Sequence, residues 1–250
     1  MSASVPATRL PRARRLLAGS IWGREMVELL QRPRALAVKL LFPAAVAAPL
    51  LFSAAPAFYA AMALTMLAGT MAALGSGAVL SRERAAGLTV RYLLLPSSPR
   101  RVCLERLAVA AGIDLFQFAP VLLLVLARRP GLAAWWPALV LATAGTLMAG
   151  NALGALASTL TTSPGEVMLY VLLPTLPGLY LAGVFTPFTD PVRTTISRLL
   201  PYSYLHQALM GALGGSAGMA PWQAGLGGLC FVLLGAAAAV ALGRRLLEAP

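Results

Sequence analysis

The sequence predicts an all-α integral membrane protein with six transmembrane helices, an N-terminal amphipathic interfacial helix and an external re-entrant helical pair between the fifth and sixth spans. Composition, the lengths of the apolar runs and the placement of charge all point there. Of 250 residues, 59% are hydrophobic and 11% charged, against roughly 45–50% and about 25% in soluble chains. That balance excludes an ordinary water-soluble enzyme and a disordered tail. At ~20 apolar residues per span, the chain has room for about six helices with short connections.

The leader comes first, and no secretory signal opens the chain, because the first long apolar run starts only near Ala35, behind seven arginines. Within it, Ile21, Trp22, Met26, Leu29 and Leu30 recur at helical spacing. Arg24, Glu25, Glu28, Gln31 and Arg32 fall mostly on the other side, the pattern of a helix lying in the membrane interface. Residues 1–34 are therefore expected to form a cytoplasmic leader and residues 35–250 a membrane domain. Spans are expected at Ala35–Ala55, Ala57–Leu80, Leu107–Leu126, Ala133–Leu153, Val167–Val184 and Gly225–Ala241. Pro56 marks a tight link that makes the first two a hairpin, and Trp135 and Trp136 suit an interfacial anchor. Gly69, Ala73 and Gly77 repeat every fourth position, as do Gly150 and Gly154. Such smooth faces let helices approach closely in lipid.

Charge sets the orientation. The chain carries 20 Lys and Arg against 8 Asp and Glu, a net +12. With the N-terminus inside, 16 of the 20 basic residues fall on the cytoplasmic side and 4 on the other. That bias places both termini in the cytoplasm of a plasma (inner) membrane protein. Because the basic residues sit beside apolar runs, their partner is the bilayer, not nucleic acid. Cys103 and Cys230 are far apart, one in a basic loop and one in an apolar run, so neither a disulfide nor a metal site is expected.

Two connections carry most of the information. The cytoplasmic one spans residues 81–106, where Gly87 ends an extension of the second helix. Ser98 then caps the third helix, with Pro99 at its first position. Arg100 and Arg101 fall at the helix end that disfavours cations, and Leu93, Leu94 and Leu95 form an apolar triplet in a loop. Misplaced charge beside exposed leucines suits a docking surface. The external connection, residues 185–210, is too polar to span and too apolar for a free loop. Helical pieces between Pro191 and Pro201, then from Tyr202, are expected there as a re-entrant pair. Pro174 and Pro177 are expected to break the fifth span.

Glu83-x-x-x-Gly87 followed by Leu93-Leu-Leu-Pro-Ser-Ser-Pro-Arg100 resembles the cytoplasmic signature of type-2 ABC transporter permeases. Phe185-Thr-Pro-Phe188, Pro191 and Leu199-Leu-Pro-Tyr-Ser-Tyr-Leu205 resemble their external segment. The resemblance implies two permease chains around a central pathway, as a homodimer or heterodimer, driven by separate ABC ATPase subunits. ATP and Mg would be used by those subunits, with no cofactor bound by this chain. It assigns ATPase coupling to Trp22, Arg24, Glu25, Glu83, Gly87, Arg91, Pro96, Pro99, Arg100 and Arg101. It assigns an external gate to Phe185, Pro187, Phe188, Pro201 and Tyr202. One observation agrees independently: a Walker A loop ends in Lys-Ser or Lys-Thr, and the only lysine, Lys39, precedes Leu40.

Polar groups inside the spans are candidates for the substrate path, since charge in hydrocarbon is costly. Asp114 and Gln117 share one face of the third span, and Asn151 joins Gly150 and Gly154 in the fourth. Tyr170, Pro174 and Pro177 in the fifth complete the set. Glu166 suits the start of that helix, and His206 a structural or interfacial role. With no Ser/His/Asp order, paired carboxylates or Cys/His constellation, the chain reads as a transport subunit rather than an enzyme. The leading function is export of an amphipathic small molecule or lipid-like substrate. Alternatives are a haem-exporter-type permease of cytochrome c maturation and an ion-coupled secondary transporter using Asp114 and Asn151.

Overall fold

The computed structural model describes residues 22–23, 31, 33–53, 56–88, 98–128, 130–161, 163–187 and 190–248. Among these, secondary structure is helical throughout: α1 (Pro33–Phe52), α2 (Ala57–Ala85), α3 (Pro99–Arg128), a 3-10 segment (Pro130–Trp135), α4 (Trp136–Ser158), α5 (Pro164–Leu181), α6 (Pro191–Ser197), α7 (Pro201–Ala212) and α8 (Pro221–Glu248). Four helical stretches are long and apolar enough to cross a membrane: Ala57–Ala85, Pro99–Arg128, Ala133–Ser158 and Pro221–Gly243. The first and fifth expected spans are shorter pieces. Within α1 the apolar run is Leu36–Phe52, and α5 has 18 residues with Glu166 in its first turn and Pro174 and Pro177 inside.

Local chemistry sets the helix ends. Gly87 adopts φ +66 one residue beyond the α2 C-cap and donates its N–H to the Arg84 carbonyl. That left-handed turn is one a glycine makes without Cβ strain. Ser98 Oγ accepts from the Arg101 N–H at 3.4 Å with Pro99 opening α3. Asp190 Oδ1 accepts from Val192 N–H at 3.0 Å to begin α6, and Ser163 caps α5. The cations at the start of α3 are offset in part, because Arg101 Nε lies 2.9 Å from Glu105 Oε1 one turn on.

Packing centres on α4, which touches α2, α3, α5, α7 and α8 and is the most buried of the long helices. Its glycines explain why. A Cβ on Gly150 would stand 2.9 Å from Ala72 Cβ, and one on Gly154 2.7 Å from the Gly77 nitrogen. The two small-residue repeats therefore meet face to face, with Ser76 Oγ donating to the Asn151 carbonyl at 3.0 Å across the seam. A second seam joins α4 to α8, where a Cβ on Gly145 would lie 2.9 Å from Gly228 Cα. Lipid offers no hydrophobic drive between helices, so backbone approach supplies the dispersion contact instead.

Two expectations change. The first two helices are sequential, but α1 packs chiefly on α3 rather than on α2. Pro174 and Pro177 do not break α5, which runs through both; each proline removes a single N–H donor, a loss a helix absorbs by bending. Trp135 and Trp136, both half-buried, pack against the main core, Trp135 on Gly211 of α7.

Two glycine substitutions in one bundle separate packing from propensity. Gly154→Leu forces a side chain into α2 backbone and should cost about 1–3 kcal/mol or more. Gly75→Leu enters open space, with nothing within 4 Å of its Cβ, and should be at least as stable as the parent, since a glycine inside a helix costs about 0.5–1 kcal/mol. Thermal unfolding of the two variants in the same detergent checks the contrast.

Candidate functional site

A cavity of about 130 Å³ lies between α1, α2, α3 and α4. Its polar floor is made by Asp114 and Gln117 of α3 and by Ser76 and Asn151. Asn151 Nδ2 donates to Asp114 Oδ2 at 2.7 Å and to the Leu147 carbonyl at 2.9 Å. Both of those neighbours are acceptors, which fixes the amide orientation and turns Oδ1 away from them. Asn151 is 1% exposed, and its buried Oδ1 has no hydrogen-bond partner among the described residues. The walls above are apolar (Val79, Leu80, Leu107, Val109 and Ile113), and Lys39 and Arg106 are the cations that line the space.

At the end of this cavity away from its polar floor, a clasp ties α2, α3 and α4 together. Arg106 Nη2 of α3 donates to Glu83 Oε1 of α2 at 2.5 Å, both side chains largely buried. The next residue, Arg84, donates Nη1 to the Ser158 carbonyl in the last turn of α4. A guanidinium at a helix C-terminus satisfies an orphan carbonyl and complements the dipole. Close by, a Cβ on Gly243 of α8 would stand 2.7 Å from Arg100 Cα, so α8 abuts the first turn of α3.

At the other end lies a larger cavity of about 700 Å³, lined by Phe185, Pro187, Arg198, His206, Gln207 and Met210 among others. His206 is 2% exposed and sits edge-on to Phe58 with ring centroids 5.2 Å apart. Tyr202 lies outside that lining. Its ring is wedged between α2 and α5, 2.7 Å from a Cβ built on Gly69 and 3.2 Å from one on Gly178.

The sequence candidates divide accordingly. Asp114, Gln117 and Asn151 converge on one cavity, whereas Tyr170, Pro174 and Pro177 lie on the exposed face of α5. Glu83 faces Arg106 instead of solvent, Gly87, Arg100 and Arg101 are exposed, and Pro99 is half-buried. Phe185 and Pro187 line the larger cavity while Pro201 and Tyr202 do not. Trp22 is half-exposed and covers Gly112 of α3, 2.9 Å from a Cβ built there. Arg24, Glu25, Arg91, Pro96 and Phe188 lie outside the described residues. Lys39, Ser76 and Arg106 are cavity residues that sequence reasoning did not select. Lys39 and Arg106 carry a signal, as cations inside or next to an apolar run, but a long basic side chain so placed can equally reach back to the headgroups. Among the described residues no three His, Cys, Asp or Glu side chains gather to hold a metal.

Long apolar helices packed around a buried polar cavity define a multi-pass membrane protein. The profile of the ABC-2 type transporter family matches residues 17–213, and the chain belongs to that family. It is accordingly an ABC permease, a transport subunit and not itself a catalyst, and membership implies partnership with an ABC ATPase, typically in a dimer. No curated protein and no solved structure matches the chain.

The clasp has a measurable signature. Glu83→Gln and Arg106→Gln, alone and combined, form a double-mutant cycle. Each single variant should lose stability, and the double variant should lose less than the two singles summed, giving a coupling of about 1–3 kcal/mol in thermal unfolding. A coupling near zero would show that the two side chains are independently solvated.

Proposed function

We propose that this chain is the permease of an ATP-driven exporter, moving an amphipathic molecule out of the cytoplasm or the inner leaflet. Two permease chains, alike or unlike, would enclose the pathway, with α1 and α5 acting as the remaining two spans of a six-helix domain. Both termini would lie in the cytoplasm of an inner-membrane protein, as the distribution of Lys and Arg supports. The partner ATPase would use ATP and Mg; this chain would bind neither.

The observation that carries the reading is the clasp between the ends of α2, α3 and α4. A force on residues 81–106 reaches three long helices at once through Glu83–Arg106 and Arg84–Ser158. In this mechanism the exposed Arg100 and Arg101, together with Trp22 and the leader, receive the ATPase. The clasp passes the movement to the helices that line the inner cavity. Phe185 and Pro187 would border the exit in the outer cavity, with α6 and α7 as the external pair. An ion-coupled carrier would leave this clasp without a role, because its energy enters within the membrane.

The test is reconstitution with a candidate ABC ATPase subunit. Arg100→Glu with Arg101→Glu should reduce co-purification and substrate-stimulated ATP hydrolysis at least several-fold, while Glu83→Gln should spare assembly and weaken stimulation. Transport by the permease alone, without nucleotide, is the result that removes this reading. Reporter fusions placing residues 81–106 outside the cell would do the same.

A further inference from the structure

The inner cavity holds two acceptors, on Asp114 and Asn151, while of the two cations in its lining Arg106 is already paired with Glu83. Asp114, half-buried, contributes a carboxylate that accepts from Asn151 Nδ2 at 2.7 Å. Asn151 Oδ1 is buried with no hydrogen-bond partner among the described residues. A lone acceptor in such a place costs about 1–3 kcal/mol until something donates to it, and a carboxylate in hydrocarbon favours a cation beside it. Lys39 lines the same space from α1 and is itself exposed, so its ammonium can serve as a resident counter-ion that leaves when another cation arrives.

The shape restricts what that cation can be. A volume of about 130 Å³ suits a group of a few heavy atoms, since a water's share of liquid is roughly 30 Å³. The cavity opens where α2 has no cover: Gly75 has nothing within 4 Å of its Cβ, and Val79 is 45% exposed. An apolar tail can therefore run out past Gly75 and Val79 along the bundle surface while the head stays inside. Apolar walls above a polar floor match an amphipath held head-first.

We propose that this cavity binds the ammonium head of an amine-bearing amphipath, with the Asp114 carboxylate and Asn151 Oδ1 as its acceptors and Gly75 at its lateral mouth. This deepens the export reading by giving the substrate a positive head that carries N–H donors. A neutral hydroxyl head brings no charge to take the place of Lys39 beside Asp114, and an anionic head meets the Asp114 charge directly.

Binding of tritiated dodecylamine to the full chain in phosphatidylcholine nanodiscs tests it, with empty nanodiscs as the partition background. The parent should show a saturable component of no more than one amine per chain, which excess dodecanol and dodecyl phosphate fail to displace. Asp114→Asn preserves a carbonyl for the Asn151 Nδ2 bond, so the fold is kept while the charge is lost; affinity should fall at least ten-fold. Gly75→Phe fills the mouth from open space and should abolish the saturable component with thermal stability unchanged. No saturable amine binding, equal binding in both variants, or displacement by dodecanol overturns the proposal. So does saturable binding of dodecyl phosphate that is lost on Lys39→Gln, which marks an anion site instead. The assay contains no ATPase. Failure here with an intact ATPase complex sinks the amine site alone, and loss of that complex sinks the export reading alone.

Discussion

Everything in this bundle depends on how near α4 lies to its neighbours. Gly150 and Gly154 bring its backbone against α2, and Gly145 brings it against α8. In water, burying leucine would hold such a helix in place; in lipid, the tails are as apolar as leucine, and contact has to be won by closeness. The seams hold Asn151 where it can reach Asp114 on α3, and they bring Ser158 within reach of Arg84. Site and clasp are both consequences of a glycine-lined interface, and neither survives a shift of α4 by one side-chain width.

Much of this was legible in the sequence, for local reasons. Gly87, Ser98, Pro99 and Pro191 act through their own backbone or that of the next turn, so their positions in the chain already tell where helices stop and start. The Gly69, Ala73 and Gly77 repeat and its counterpart at Gly150 and Gly154 were readable as smooth faces. Asp114, Gln117 and Asn151 stood out because polar groups are rare in such spans, and they share one cavity. What stayed hidden was pairing at a distance. Nothing near Glu83 tells that its partner is Arg106, and nothing near Gly243 tells that it abuts Arg100. The prolines of α5 misled for the opposite reason, since proline announces a local defect and the helix around it decides whether to tolerate one.

The two cavities sit at opposite ends of a common framework. The inner one is small, has a carboxylate and an unmatched amide oxygen in its floor, and borders helices tied at their ends by the clasp. The outer one is several times larger and is bordered by the short helices α6 and α7. In the export reading proposed for this member of the ABC-2 type transporter family, a tight inner chamber would select a head group and a wide outer one would impose few demands on what leaves it.

The ring of Tyr202 rests on two glycines, Gly69 of α2 and Gly178 of α5, and shares a cluster with Met62 and Met66 of α2 and Leu179 of α5. A flat plate seated in two notches and hemmed by side chains behaves as a key. The α5 backbone cannot slide far past the ring unless those side chains change rotamer, because close packing leaves no spare volume beside it. α2 and α5 are thereby pinned to the start of α7, and a displacement of any one of the three is felt by the other two.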